Sequence, residues 1–207
     1  MIYLPRVDEN GEQYVSYSQI KLFKEDKTKY YKRYILGEKF EGNVWTDFGN
    51  KVGNALETCN FSEFNLFEQN CLTKVPRLGN FEYETRIQYD EFYVKCFIDT
   101  TDFRTVIDYK TGGAGKDLQY SDPSYTQLAY YALALGQEGY EPQEAKVIFI
   151  PRSGNPYKRQ MLCVEGEHKE IEVDISHHTL TDVHDDILEN AKKISDFYIS
   201  MTQDIAN

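Results

Sequence analysis

The stretch Val106-Ile107-Asp108-Tyr109-Lys110-Thr111-Gly112, preceded by Ile98-Asp99, decides how the chain folds around its chemistry. Apolar, β-branched residues that lead into a charged pair and then glycine predict a strand ending in a turn. Residues two apart on a strand share a face, so Asp108 and Lys110 project together, with Tyr109 behind them. Asp99 belongs to the preceding strand, and residues 102–104 are short enough for a tight hairpin between the two. Its carboxylate can therefore reach the same point as that of Asp108. Two carboxylates and a lysine converge at the edge of an apolar sheet. Hard divalent cations take one or two carboxylates together with water and substrate phosphate. The plainer alternative is a surface ion pair, Asp108 with Lys110, beside a hairpin carboxylate.

Working outward, three strands are expected over 81–89, 92–100 and 105–110, and residues 112–115 form a flexible glycine turn. One helix is expected over 17–35, opened by Ser16 and Gln19 as a capping box and stopped by Gly37. A second spans 45–59, with Phe48, Val52, Ala55 and Leu56 on its apolar face, and a polar connector follows it. Asp122 and Pro123 suit the start of a third helix that ends at Gly136. The apolar run 145–150 reads as a buried strand, and strand character returns near 161–164 and 171–173. Leu180, Val183, Ile187, Ala191 and Ile194 mark a last helix by their spacing. Helices, strands, a helix, strands and a helix in that order predict an α/β domain with a central mixed sheet flanked by helices.

The chain has 207 residues, enough for one domain, 1–207, with a sizeable core. It lacks an apolar run long enough to span a membrane, and its first residues do not resemble a secretory signal, so the cytoplasm is the expected compartment and no membrane is an expected partner. Cys59, Cys71, Cys96 and Cys163 form no C-x-x-C pair and are expected to be reduced thiols. Net charge is −11, which taken alone argues against a nucleic-acid binder. Charge is uneven, however: residues 21–39 carry seven basic and three acidic side chains. That local field could steer DNA or could be an ordinary solvated helix face. His177, His178 and His184 match no known zinc spacing. No phosphate-binding G-x-x-x-x-G-K-[ST] string and no G-x-S-x-G string occurs, so neither a nucleotide-driven motor nor serine-hydrolase chemistry has support.

Four pieces, in order, resemble the RecB-like branch of the PD-(D/E)XK nucleases. Ser16-Tyr17-Ser18-Gln19-Ile20 through Phe23, with Tyr31, Tyr34 and Gly37, is similar to the family's opening helix. Phe48-Gly49 through Leu56-Glu57 is similar to a helix that normally reads G-x-x-x-H-x-x-L-E. Asp99 with Asp108-Tyr109-Lys110-Thr111-Gly112 resembles the nuclease signature, and Gln127-Leu128-Ala129-Tyr130-Tyr131 resembles the Q-L-x-x-Y helix. The resemblance implies a restriction-endonuclease-like core, dependence on Mg²⁺ or Mn²⁺, and phosphodiester hydrolysis. It also implies that Asp99, Asp108, Lys110, Gln127 and Tyr131 make the catalytic site, with Asp99 and Asp108 as metal ligands.

Two departures matter. Gly53 stands where the family has a metal-ligating histidine. Glu57, one turn further on the same helix face, is the candidate third ligand, or else an exposed helix carboxylate. Relatives with an iron–sulfur cluster need cysteines that this opening helix and C-terminal region lack, so no cluster is expected. The alternative for Tyr131 is a core aromatic.

The expectation is a metal-dependent deoxyribonuclease, acting as an exonuclease in phage or mobile-element recombination, replication or repair. Candidate DNA contacts are Lys21, Lys24, Lys32, Arg33 and Arg152, and a recombination or replication protein is the further partner considered. The alternative is a weakened nuclease-like domain that binds DNA or protein without cutting.

Overall fold

The computed structural model describes residues 1–39 and 41–203. A short strand, β1 (Tyr14–Ser16), runs directly into helix α1 (Tyr17–Glu25). Ser16 caps that helix by accepting the Gln19 N–H at 3.3 Å, which satisfies an orphan donor of the first turn. The single helix expected over 17–35 is instead broken at Asp26. Its extended backbone (φ −155°, ψ 92°) ends α1, and its carboxylate caps α2 (Lys27–Tyr30). A π-helical turn, Tyr31–Ile35, follows, and Gly37 leaves it at φ +73°, where glycine carries no Cβ penalty.

Helix α3 (Val44–Thr58) is capped by Asn43, and it buries Phe48, Val52, Ala55 and Leu56. The expected polar connector contains a further helix, α4 (Leu66–Leu72), fixed by a reciprocal capping box between Asn65 and Glu68. Strands β2 (Asn80–Gln88), β3 (Tyr93–Thr101) and β4 (Thr105–Gly112) come next, then a 3₁₀ turn, Lys116–Tyr120. Helix α5 (Gln127–Gln137) starts four residues later than Pro123 suggests, because Asp122 closes a turn instead. The Asp122 carboxylate accepts from the Ser124 N–H and its carbonyl from the Tyr125 N–H, the local bonding that makes Asp a turn former. The chain continues through β5 (Glu144–Ser153), β6 (Cys163–Val164), β7 (Lys169–Glu172) and the long α6 (His177–Gln203).

The strands make one mixed sheet in the order β1-β3-β4-β5-β6, with β2 also on β3 and β7 also on β5. Two contacts share one edge of β3. There β1 runs parallel to Tyr93–Lys95, whereas β4 pairs antiparallel with only Thr100 and Thr101. Residues 96–99 have no ladder partner on that edge. In contrast, β4 and β5 pair in parallel over eight residues, from Thr105↔Glu144 to Gly112↔Pro151.

Both faces of the sheet are covered. One core packs Ile20, Phe23, Leu128, Leu135, Ile187 and Ile194 from α1, α5 and α6 on Ile98, Val106 and Val147. The other packs Phe48, Val52 and Leu56 of α3 and Leu72 of α4 on Ile107, Ile148 and Ile150. A strand buried on both faces reads as an unbroken apolar run, which is why residues 147–150 are Val-Ile-Phe-Ile. Each such side chain contributes roughly 1.5–3 kcal/mol through burial. No helix among the described residues is long and apolar enough to cross a membrane.

Candidate active site

Alternation along β4 sends Val106, Asp108 and Lys110 towards α1 and α5, and sends Ile107, Tyr109 and Thr111 towards α3. Asp108 is fully buried, so its charge must be paired and hydrogen-bonded. Lys110 Nζ lies 2.8 Å from Asp108 Oδ1 and 2.6 Å from Oδ2. Gln127 Nε2 donates to Oδ1 at 3.2 Å, and the Tyr125 hydroxyl lies 3.1 Å from Oδ2 and 3.1 Å from Gln127 Oε1. Gln127 also donates to the Tyr131 hydroxyl at 2.6 Å. Gln127 and Tyr131 are one helical turn apart on α5, which is what lets both face Asp108. Burial pushes the Tyr131 phenol well up, with Asp108 and Asp99 adding to it, so it stays a neutral hydrogen-bonding group.

Asp99 reaches the same point by a different route. Ile98 belongs to the α1–α5 core, yet Thr100 pairs with Ile107 of the α3 core. The inward–outward alternation of β3 therefore slips at Asp99. On the other side Phe81 pairs with Thr100 and Tyr83 with Ile98, which puts Glu82 opposite Asp99 in register. Glu82 sits at φ +46°, a strained conformation for a non-glycine residue. The kink turns the Asp99 carboxylate into the open edge of β3, where Oδ2 accepts the Tyr109 N–H at 2.6 Å. Burial first, and then the Asp108 charge, push Asp99 up to about 7. Burial pulls the Lys110 ammonium down, but Asp108 and Asp99 outweigh that and leave its pKa above the ordinary value.

Two cavities meet at Lys110. One, of about 400 Å³, is walled by Tyr17, Lys21, Lys24, Tyr125 and Gln127. The other, of about 660 Å³, is walled by Trp45, Gly53, Glu57, Glu82, Asp99 and Arg152. The structure thus brings Asp99, Asp108, Lys110, Gln127 and Tyr131 together. Glu57 shares the larger cavity with Asp99, but no three His, Cys, Asp or Glu residues among those described stand close enough to hold a metal ion. Of the basic candidates, Lys21 and Lys24 border the smaller cavity, where they pair with Glu25 and Asp186, and Arg152 borders the larger. Lys32 and Arg33, in the π-helical turn after the break at Asp26, border neither.

Two residues escaped the sequence reading. Tyr125 completes the shell around Asp108, and its place two residues before Gln127 was the only local hint. Glu82 has a carboxyl raised by burial and then by Glu57, and its position follows from register that strand patterning alone does not reveal.

The donor set suits a hard divalent cation. Two carboxylates with different exposures converge, and Asp99 Oδ1 accepts no hydrogen bond among the described residues. One or two carboxylates, with water and phosphate oxygens, satisfy such an ion.

No curated protein sequence matches the chain. Among solved structures, a candidate exonuclease from Eubacterium rectale aligns over 90% of this chain and 84% of its own, at 14% identity and a TM-score of 0.52. LHK-Exo, solved in complex with dAMP, aligns over 93% of each chain at 9% identity and a TM-score of 0.50. A phage-related exonuclease from Haemophilus somnus aligns over 89% of this chain and 81% of its own, at 15% identity and a TM-score of 0.46. The first two likenesses establish a shared fold, a central mixed sheet flanked by helices. The model of the PD-(D/E)XK nuclease superfamily matches residues 73–204, which include Asp99, Asp108, Lys110, Gln127 and Tyr131, and the chain belongs to that superfamily.

Proposed function

We propose that this chain, acting as one domain, is a divalent-metal-dependent deoxyribonuclease that hydrolyses phosphodiester bonds. The observation that carries the reading is the convergence of Asp99, Asp108 and Lys110 at the one open edge of β3. Asp99 and Asp108 would hold Mg²⁺ or Mn²⁺, and such an ion supplies charge neutralisation at the scissile phosphate and a more acidic water. Lys110, with its pKa above the ordinary value, keeps its proton and presents positive charge to the attacked phosphate. Gln127 and Tyr125 fix the rotamer of Asp108, and Tyr131 fixes Gln127. Arg152, Lys21 and Lys24 border the two cavities and are the DNA contacts consistent with this arrangement.

An exonuclease mode draws support from the fold shared with LHK-Exo, which binds dAMP, and with the E. rectale protein. A place in phage or mobile-element recombination, replication or repair, with a partner protein from that machinery, fits a small nuclease of this kind. The test is degradation of end-labelled linear and closed circular DNA with Mg²⁺ and with Mn²⁺. Loss of linear DNA alone supports the exonuclease; cutting of circular DNA makes the enzyme an endonuclease.

Gly53 supports a second reading, a domain that binds without cutting. The missing imidazole leaves two carboxylates, and Asp108 is wholly engaged by protein donors. Divalent-ion binding by calorimetry separates the two, since only the enzyme requires it.

A further inference from the structure

The larger cavity has a second wall that the catalytic constellation does not use. Parallel pairing brings the C-terminal ends of β4 and β5 level, with Gly112 against Pro151, and such ends are where sheet proteins gather ligands. Arg152 is the next residue. By alternation it points with Ile148 and Ile150 towards α3. There its guanidinium carbon lies 4.1 Å from the centre of the Trp45 ring, in the first turn of α3, a cation–π contact. Both side chains line the cavity that also holds Asp99 and Lys110.

Arg152 lacks the partner its chemistry calls for. Among the described residues it forms no ion pair, and its buried Nε has no hydrogen-bond acceptor. This occurs in a chain of net charge −11, in which carboxylates are plentiful. Burial also pulls its pKa down with no anion to offset the effect. A guanidinium is built for bidentate contact with phosphate, and contact with the ring restricts its motion in advance, so less freedom is lost on binding. Tryptophan is the ring best suited to hold it.

We propose that Arg152, held by Trp45, clamps a backbone phosphate of the DNA strand next to the phosphodiester presented to Asp99 and Lys110. The clamp rests on the nuclease reading for its substrate, and its position across the cavity sets the register of the strand in the site. Trp45 acts through Arg152 and is a positioning residue.

Its test is fluorescence anisotropy of a labelled oligodeoxynucleotide, single-stranded and duplex, titrated in EDTA at a series of salt concentrations. Wild type is compared with Arg152→Ala, Arg152→Lys, Trp45→Ala and Trp45→Phe, each checked for an unchanged melting curve. Arg152→Ala should weaken binding roughly tenfold at low salt, as expected for loss of one charge-assisted contact. It should also reduce the slope of log K against log salt by about one. Arg152→Lys should keep the slope, because the charge remains, and lose part of the affinity. Trp45→Phe keeps an aromatic ring of weaker cation–π strength and should lose part of the affinity, Trp45→Ala should lose more, and both should fall between wild type and Arg152→Ala. In cleavage assays the loss should appear in KM more than in kcat. An Arg152→Ala slope and affinity equal to wild type would overturn the clamp, even if the protein cuts DNA. DNA binding without cleavage would instead overturn the nuclease reading, and the clamp would still be decided by the slope.

Discussion

Asp99 Oδ2 accepts the backbone N–H of Tyr109 at 2.6 Å, across the gap where β3 and β4 stop pairing. A side chain thus replaces a rung of the ladder. The unpaired amide of β4 is satisfied, the two strands stay apart, and a carboxylate is held beside Asp108. Opening the sheet and building the site are one event here, and the strained Glu82 opposite Asp99 marks where the kink occurs.

The raised pKa of Asp99 makes metal-free stability depend on pH. Its folded value of about 7 lies above the ordinary 3.8. Between those values the folded chain binds more protons than the unfolded one, so stability falls as pH rises through that window. Asp99→Asn removes the charge and keeps an oxygen for the Tyr109 N–H. In EDTA near pH 8 it should melt roughly 3–6 °C higher than wild type, equivalent to about 1–2 kcal/mol at this length. At about pH 5 the difference should shrink. Equal melting temperatures at both pH values would contradict the burial and the coupling to Asp108.

Lys110 lies on the carboxylate that a cation would need. Lys110→Met should reduce cleavage by at least roughly a hundredfold, the scale of losing one preorganised electrostatic group. It should also bind Mn²⁺ more tightly in calorimetry, because a like charge 2.6 Å from Asp108 is gone. The metal-free variant should be less stable, since Asp108 is left with only Tyr125 and Gln127. Weaker Mn²⁺ binding would mean that Asp108 is not a ligand.

Tyr125 contacts Asp108 from outside every motif in the chain. Tyr125→Phe keeps the ring packing and removes the hydroxyl, at a cost of about 1 kcal/mol. The kcat should drop several-fold with little change in KM, because the hydroxyl orients Asp108 and does not reach the larger cavity. A drop confined to KM would move Tyr125 from orienting Asp108 to binding DNA.

Gly53 offers a gain-of-function test. A Cβ built there meets nothing within 4 Å, and glycine inside a helix is unfavourable. Gly53→His should gain a few tenths of a kcal/mol in stability. It should also bind Mn²⁺ about tenfold more tightly, a difference of about 1.4 kcal/mol. Unchanged affinity would mean that the imidazole cannot reach the Asp99–Asp108 pair from this helix.

The centre of the fold was legible because β3, β4 and β5 are rich in apolar residues and joined by a hairpin and a helix whose residues say so. Strand parity placed Asp108 and Lys110 on one face and the short loop put Asp99 on the next strand, but the slip in β3 that turns the Asp99 carboxylate to them had no signal in the pattern. What failed to show was what tertiary contacts decide. Three-residue β1 has no periodicity to read, and it exists because β3 offers an edge at Tyr93–Lys95. Asp26 reads as a helix-surface residue until its carboxylate is seen capping Lys29 N–H. Asp122 and Pro123 fit a helix start as well as the turn they make. Asn65 and Glu68 were a readable capping box, hidden in a segment too short for a helical pattern. Trp45 and Arg152 are far apart in sequence, and only parallel strand register beneath α3 brings them together.

The most direct test of the site is hydrolysis of labelled linear DNA with Mn²⁺ by wild type, Asp99→Asn and Asp108→Asn, each shown by its melting curve to be folded. The geometry predicts metal-dependent cleavage by wild type and its loss in both variants. Cleavage that survives either substitution, or a folded wild type that binds Mn²⁺ and DNA yet never cuts, would contradict a nuclease centred on Asp99, Asp108 and Lys110.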